Sequence, residues 1–261
     1  MEKILLLGFP IILIPFFLTT GPFIPDTSIT IASMLFFVFA LYKKKFNLFT
    51  NKFIIFFLIF WIFISLNSIL SGNWVSIKSS FTYVRFGLFI ILLSYLCNHY
   101  ENFHSKFKNI ILFSLMVLFF DSVFQYSSGF NILGYEKTSR ISSLFGDEKI
   151  MGSYVIKLFP LFVFLYFYHN QKITINITIL SVILISLLLI LFSGERSALG
   201  LFVLYIFLLS FILLKNFKSF LIYNISIIIL LSLILVNFEN LKYRFVTQFV
   251  NDFKIKTQQI I

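Results

Sequence analysis

Long apolar stretches alternate with short polar ones along this chain. Nine stretches are almost free of charge: residues 4–20, 28–42, 53–70, 79–97, 109–126, 150–169, 173–192, 198–214 and 219–236. A helix that crosses the hydrocarbon of a bilayer needs roughly 20 mainly apolar residues. The expected fold is therefore all-α, a polytopic membrane helix bundle of about nine transmembrane helices over residues 1–236. Residues 237–261 are expected to begin an external amphipathic segment. The first stretch follows Lys3, lacks a small-residue cleavage site and contains Pro10 and Pro15. It reads as a retained first helix rather than a signal peptide.

Composition agrees with the pattern. The chain is 59% hydrophobic, with a mean hydropathy of +0.99, more apolar than a soluble domain can cover. The net charge of +11 comes mostly from Lys at the ends of apolar runs. The positive-inside rule explains such residues, so no nucleic-acid partner is expected. Cys97 is the single cysteine, which excludes an intrachain disulfide and a Cys-based zinc site. There are 39 Phe and only 3 Ala, a bias that favours Lys over Arg wherever either serves. Lys outnumbers Arg 17 to 4, so each Arg stands out as a choice of its fixed charge and planar fork.

The polar segments fall into two sets. Lys3 together with 43–52, 98–108, 170–172 and 215–218 holds 10 basic residues. The alternate set, 21–27, 71–78, 127–149 and 193–197, holds 5. Positive-inside then places the N-terminus in the cytoplasm and the second set outside. The tail continues this side as an amphipathic surface helix. Its stripe is Phe238, Leu241, Phe245, Phe249, Val250 and Phe253, with Lys242, Arg244, Asp252 and Lys254 off it.

Candidate chemistry gathers on the outer side. Arg196 stands in the turn SGERSALG, residues 193–200, between two apolar runs. Ser193 or Ser197 is available there as an N-cap for the following helix. Open N–H groups, the helix dipole and a guanidinium fork suit that position to phosphate. The alternative role for Arg196 is pairing with Glu195 or with lipid headgroups. Arg140 lies in the long Gly- and Ser-rich loop that ends at Gly146-Asp147-Glu148. Asp147 could cap the next helix and Glu148 suit its first turn. The functional alternative is that one of these acids orients a hydroxyl acceptor. Arg85 and Lys157 lie inside apolar runs, with Asp121 as a candidate partner for either. His99, His104 and His169 map to cytoplasmic ends, so none can act as a base outside. No nucleotide-binding, metal or nucleophile-elbow motif occurs, and neither cofactor nor metal is expected.

Three groups of residues carry a family resemblance. Asp121, Gln125, Gly129 and Leu133-Gly134 come first. Arg140-Ile-Ser-Ser-Leu-Phe-Gly-Asp-Glu follows, then Ser193-Gly-Glu-Arg-Ser-Ala-Leu-Gly200. The order resembles the bacterial O-antigen ligase and O-antigen polymerase superfamily over roughly residues 50–236. The resemblance implies a glycosyltransferase of the bacterial inner membrane, active at its periplasmic face. It would take an undecaprenyl pyrophosphate-linked glycan as donor and lipid A-core or another repeat unit as acceptor. Arg140 and Arg196 would stabilise the leaving pyrophosphate, with Arg85, Asp121, Lys157, Glu148 and Glu195 as substrate-binding candidates. Members of the family continue into a periplasmic loop bearing a catalytic His, which has no counterpart here. The expectation is an N-terminal portion holding the donor-phosphate half of a site. A transporter or flippase of an anionic lipid-linked saccharide is the alternative, since it too would need intramembrane charge.

Overall fold

A computed structural model describes residues 7–138, 140–169, 177–214, 216–237 and 242–248. Lys3, Lys172, Lys215 and most of the tail stripe (Phe238, Leu241, Phe249, Val250 and Phe253), with Asp252 and Lys254, lie outside the described residues. Among the described residues the fold is helical, with one isolated bridge between Phe130 and Glu136. The helices are α1 (Gly8–Ile12), α2 (Ile14–Phe17), α3 (Phe23–Tyr42), α4 (Lys52–Leu70), α5 (Trp74–Thr82) and α6 (Val84–His99). They continue as α7 (Phe103–Ser128), α8 (Met151–His169), α9 (Ile177–Ser193), α10 (Arg196–Leu213) and α11 (Phe217–Asn237).

Among the described residues six helices are long and apolar enough to cross a membrane: α3, α4, α5 with α6 as one rod, α7, α8 and α10. α4 shows why lipid is needed. Its most apolar window has a hydropathy of 2.6, yet only 11% of it is buried in the protein. A soluble protein does not expose a face of that size. The structure also moves several expected boundaries. The first apolar stretch is divided at Leu13, and Pro15, at the start of α2, has no N–H to continue the ladder. α3 begins at Phe23, so Asp26 sits in its first turn rather than in a loop. α5 takes in most of the segment 71–78, with Asn73 Oδ1 accepting from Val75 N at its start.

The chain divides into two compact units, residues 1–110 and 111–261. The first unit packs Ile11, Phe36, Leu92, Tyr95 and Leu96 into one core. α4 and α5 are tied by Trp61 Nε1 donating to Ser80 O at 3.0 Å and by Ser80 Oγ donating to Ser68 Oγ at 3.0 Å. Gly87 lets Phe57 approach, since a Cβ there would run into the ring. In the second unit α8 packs against α9 and α10, with Phe159 and Phe202 ring centroids 5.1 Å apart. Gly152 at the start of α8 permits that contact. A Cβ at 152 would meet Ser193 Oγ at 2.5 Å and the Ala198 Cβ at 3.1 Å.

Candidate functional site

The loop 129–150 of the second unit is built on a buried polar frame. Asp121 and Gln125, both fully buried on the last turns of α7, supply its base. Asp121 Oδ1 accepts from Ile132 N at 2.9 Å, and Oδ2 accepts from Ser143 Oγ at 2.6 Å. Gln125 Oε1 accepts from Ser143 N at 2.9 Å. Asn131 Nδ2 donates to Ser143 O at 2.6 Å, and Asn131 Oδ1 accepts from Tyr135 N at 2.8 Å. Ser143 is fully buried at φ 52, a left-handed backbone that a non-glycine residue seldom adopts. Both of its main-chain polar groups and its hydroxyl are engaged, which is what holds such a conformation in place.

This frame sets the start of the RISSLFGDE segment. Ile141 N donates to Phe192 O at 3.2 Å, which fastens the residue after Arg140 to the last turn of α9. Tyr126 stacks on Phe192 beside it, with centroids 5.7 Å apart. The turn that carries Arg196 follows directly. Ser193 Oγ donates to Ile190 O at 2.7 Å and accepts from Glu195 N at 3.2 Å. Gly194 takes φ +61, and α10 then begins at Arg196 with Glu195 as its N-cap residue.

Glu195 is buried and faces α8. Its Oε1 accepts from Gly152 N at 2.9 Å and its Oε2 from Ser153 Oγ at 2.5 Å. One carboxylate therefore supplies the start of a helix remote in sequence with both an acceptor and a negative charge. Four expectations change with this geometry. The carboxylate of Glu195 bonds to α8. Ser193 and Ser197 do not cap α10, whose N-cap makes no side-chain bond. Asp147 and Glu148 do not cap α8, which begins at Met151; both are exposed, and their side chains bond to no described residue. Asp121 bonds to the loop through both oxygens, and among the described residues it forms no ion pair with Lys157.

Arg140 and Arg196 both lie within charge–charge range of a third arginine, Arg244. Segment 242–248 contains a π-type turn, Tyr243–Thr247, which carries Arg244 to the SGER turn. Arg244 Nε donates to Gly194 O at 2.9 Å, and Arg196 Nε donates to Arg244 O at 3.1 Å. Burial first, and then repulsion from Arg140 and Arg196, pushes the Arg244 pKa below its ordinary value. Three of the four arginines in the chain thus share one surface of the second unit. Sequence reading placed Arg244 merely off the amphipathic stripe. Its rarity as an Arg among lysines was the available signal.

The remaining candidates lie elsewhere. In the first unit Arg85 pairs with Asp26 at 2.7 Å and donates to Thr30 Oγ1 at 3.0 Å, so its partner comes from α3. Lys157 is exposed on α8, with no hydrogen bond or ion pair to a described residue. Among the described residues no group of three His, Cys, Asp or Glu side chains could hold a metal ion. What the second unit presents is a cationic surface on a braced loop and turn, suited to holding an anion. No known protein family, characterised protein or solved structure matches this chain.

Proposed function

We propose that this chain belongs to a membrane glycosyltransferase that uses an undecaprenyl pyrophosphate-linked glycan. Lipid A-core or another glycan repeat unit is the acceptor. In this reading nine helices cross the bacterial inner membrane, the N-terminus is cytoplasmic, and the arginine surface faces the periplasm. The acceptor hydroxyl oxygen bonds to the anomeric carbon as the bond from that carbon to the phosphate oxygen breaks. The electron pair stays with the departing diphosphate, and the hydroxyl proton is released to water. Arg140 and Arg196 act on the diphosphate, where negative charge grows as the bond breaks. Fixed cations lower that barrier most when they are in place beforehand.

The observation that supports the reading is the main-chain bond from Ile141 N to Phe192 O, which fastens the segment after Arg140 to the end of the helix before the Arg196 turn, on a loop held by Asp121, Gln125 and Asn131. The test is glycan transfer to surface polysaccharide in cells relying on this protein. Arg140→Ala and Arg196→Ala are each expected to lower transfer about 100-fold or more, with membrane levels close to wild type. Normal polysaccharide in both variants would overturn the reading.

A further inference from the structure

We propose that the hairpin 129–137 dips into the bilayer and seats Ile132 and Leu133, at its tip, among the lipid chains of the leaflet in which α7 ends. The inference rests on α7 crossing the membrane and is independent of the transferase reading.

The depth follows from where the hairpin is tied. α7 ends at Ser128, and residues 109–128, twenty of them, follow Lys108. At about 1.5 Å per residue they span roughly 30 Å, the thickness of the hydrocarbon core. The edge of the core on that side therefore lies near Ser128. The chain turns back there instead of leaving. Ile132 N donates to Asp121 Oδ1 at 2.9 Å. Asp121 stands seven residues before the end of α7, roughly 10 Å inside the edge. Ser143 Oγ reaches deeper still, 3.4 Å from Leu118 O.

A backbone at that depth must satisfy its polar groups within the protein. Asn131 N donates to Tyr135 O at 2.9 Å, and Gly134 N to Asn131 O at 2.9 Å. Tyr135 N donates to Asn131 Oδ1 at 2.8 Å, and Lys137 N to Gly129 O at 2.7 Å. With Ile132 N on Asp121, five N–H groups of the hairpin are satisfied without water. The side chains at the tip are left uncovered: Ile132 is 67% exposed and Leu133 62%.

Lipid is the occupant that this surface fits. Phe120 and Phe124 lie one turn apart on α7, both exposed within its apolar span, where the surroundings are hydrocarbon. Phe124 meets Phe130 edge to face, with ring centroids 5.7 Å apart. The lipid-facing strip of α7 thus continues onto the hairpin, and Ile132 and Leu133 extend it. The open end of the hairpin carries the groups of a membrane surface instead. Lys137 Nζ donates to Tyr126 O at 3.3 Å and lies 4.0 Å from the centroid of the Tyr126 ring. A lysine beside a tyrosine suits the headgroup layer, where the ring straddles the boundary and the ammonium meets phosphate.

The test uses the full chain in phospholipid nanodiscs, carrying one nitroxide spin label at a time in a Cys97→Ser background. Ile132→Cys and Leu133→Cys report on the tip. Phe120→Cys, on the lipid face of α7, and Asp147→Cys, exposed later in the same loop, are the references. Collision rates are measured with oxygen, which concentrates among lipid chains, and with a nickel chelate, which stays in water. The ratio of oxygen to chelate collisions at 132 and 133 is expected to match that at 120 and to exceed that at 147. If both tip labels follow 147, the tip stands in water and the proposal falls. If neither quencher reaches them, protein covers the tip, and the proposal falls equally. Two tip positions are read so that one poorly tolerated label leaves the other to decide.

Discussion

Asp121 shows how one residue can matter to a site without facing it. A carboxylate on a membrane helix is costly unless its oxygens are satisfied. Here both accept hydrogen bonds from the loop, at 2.9 and 2.6 Å. The charge is thereby converted into loop order, and Ser143 is held at a backbone angle it would otherwise avoid. Asp121→Ala should therefore unfold at lower temperature than wild type, by about 1–3 kcal/mol in stability for the stranded donors. Thermal unfolding in detergent measures this. Glycan transfer should fall with it, because Arg140 is carried by the same loop. Sequence alone marks Asp121 as a buried acid in an apolar run, and that much is correct. Its partner is not legible, because the bonding atoms belong to Ile132 N and Ser143 Oγ, two unremarkable residues in a loop with no periodicity. Arg85 shows the same limit. Its partner, Asp26, is far away in sequence, and only the extension of α3 to Phe23 brings the two together.

Among the elements, α8 depends on a residue from another part of the chain. Its first turn has no acid of its own, and Glu195 supplies the missing acceptor through Gly152 N and Ser153 Oγ. Glu195→Ala should cost about 1–3 kcal/mol, while Glu195→Gln, which retains one acceptor oxygen, should cost less. The ordering of the two variants in thermal unfolding checks the role. An Arg196 ion pair as the main function of Glu195 would instead make both variants equally harmful. Helix existence was legible here from apolar run length alone. The starts were harder, because local cap signals such as Asp147 competed with an acceptor supplied by tertiary packing. Close approach at Gly152 was invisible in sequence for a related reason. A glycine states that a side chain is missing, not which neighbour fills the space.

At the scale of the molecule, the six helices among the described residues that are long enough to span, and a cationic surface on the second unit, set the terms for orientation. The proposed topology makes two positions informative. A reporter fused after residue 47 should score as cytoplasmic, and one fused after residue 145 as periplasmic. Enzymatic reporters active on only one side of the membrane measure this directly, and the reverse pattern would place the arginines on the wrong face for a periplasmic transfer. The distribution of lysine and arginine across the polar segments was readable without coordinates. The convergence of three arginines was not, because the third arrives by a fold of the backbone that no short-range pattern announces.

The clasp between Arg196 and Arg244 also has a consequence in time. Its two members are 48 residues apart, and Arg140 precedes both. A chain made from its N-terminus presents the loop and the SGER turn well before residue 244 emerges. The third positive charge therefore joins last, when the other two are already seated. Bringing like charges together is the least favourable step in building such a surface. The order of synthesis defers it until the helices that can bear the repulsion have been made.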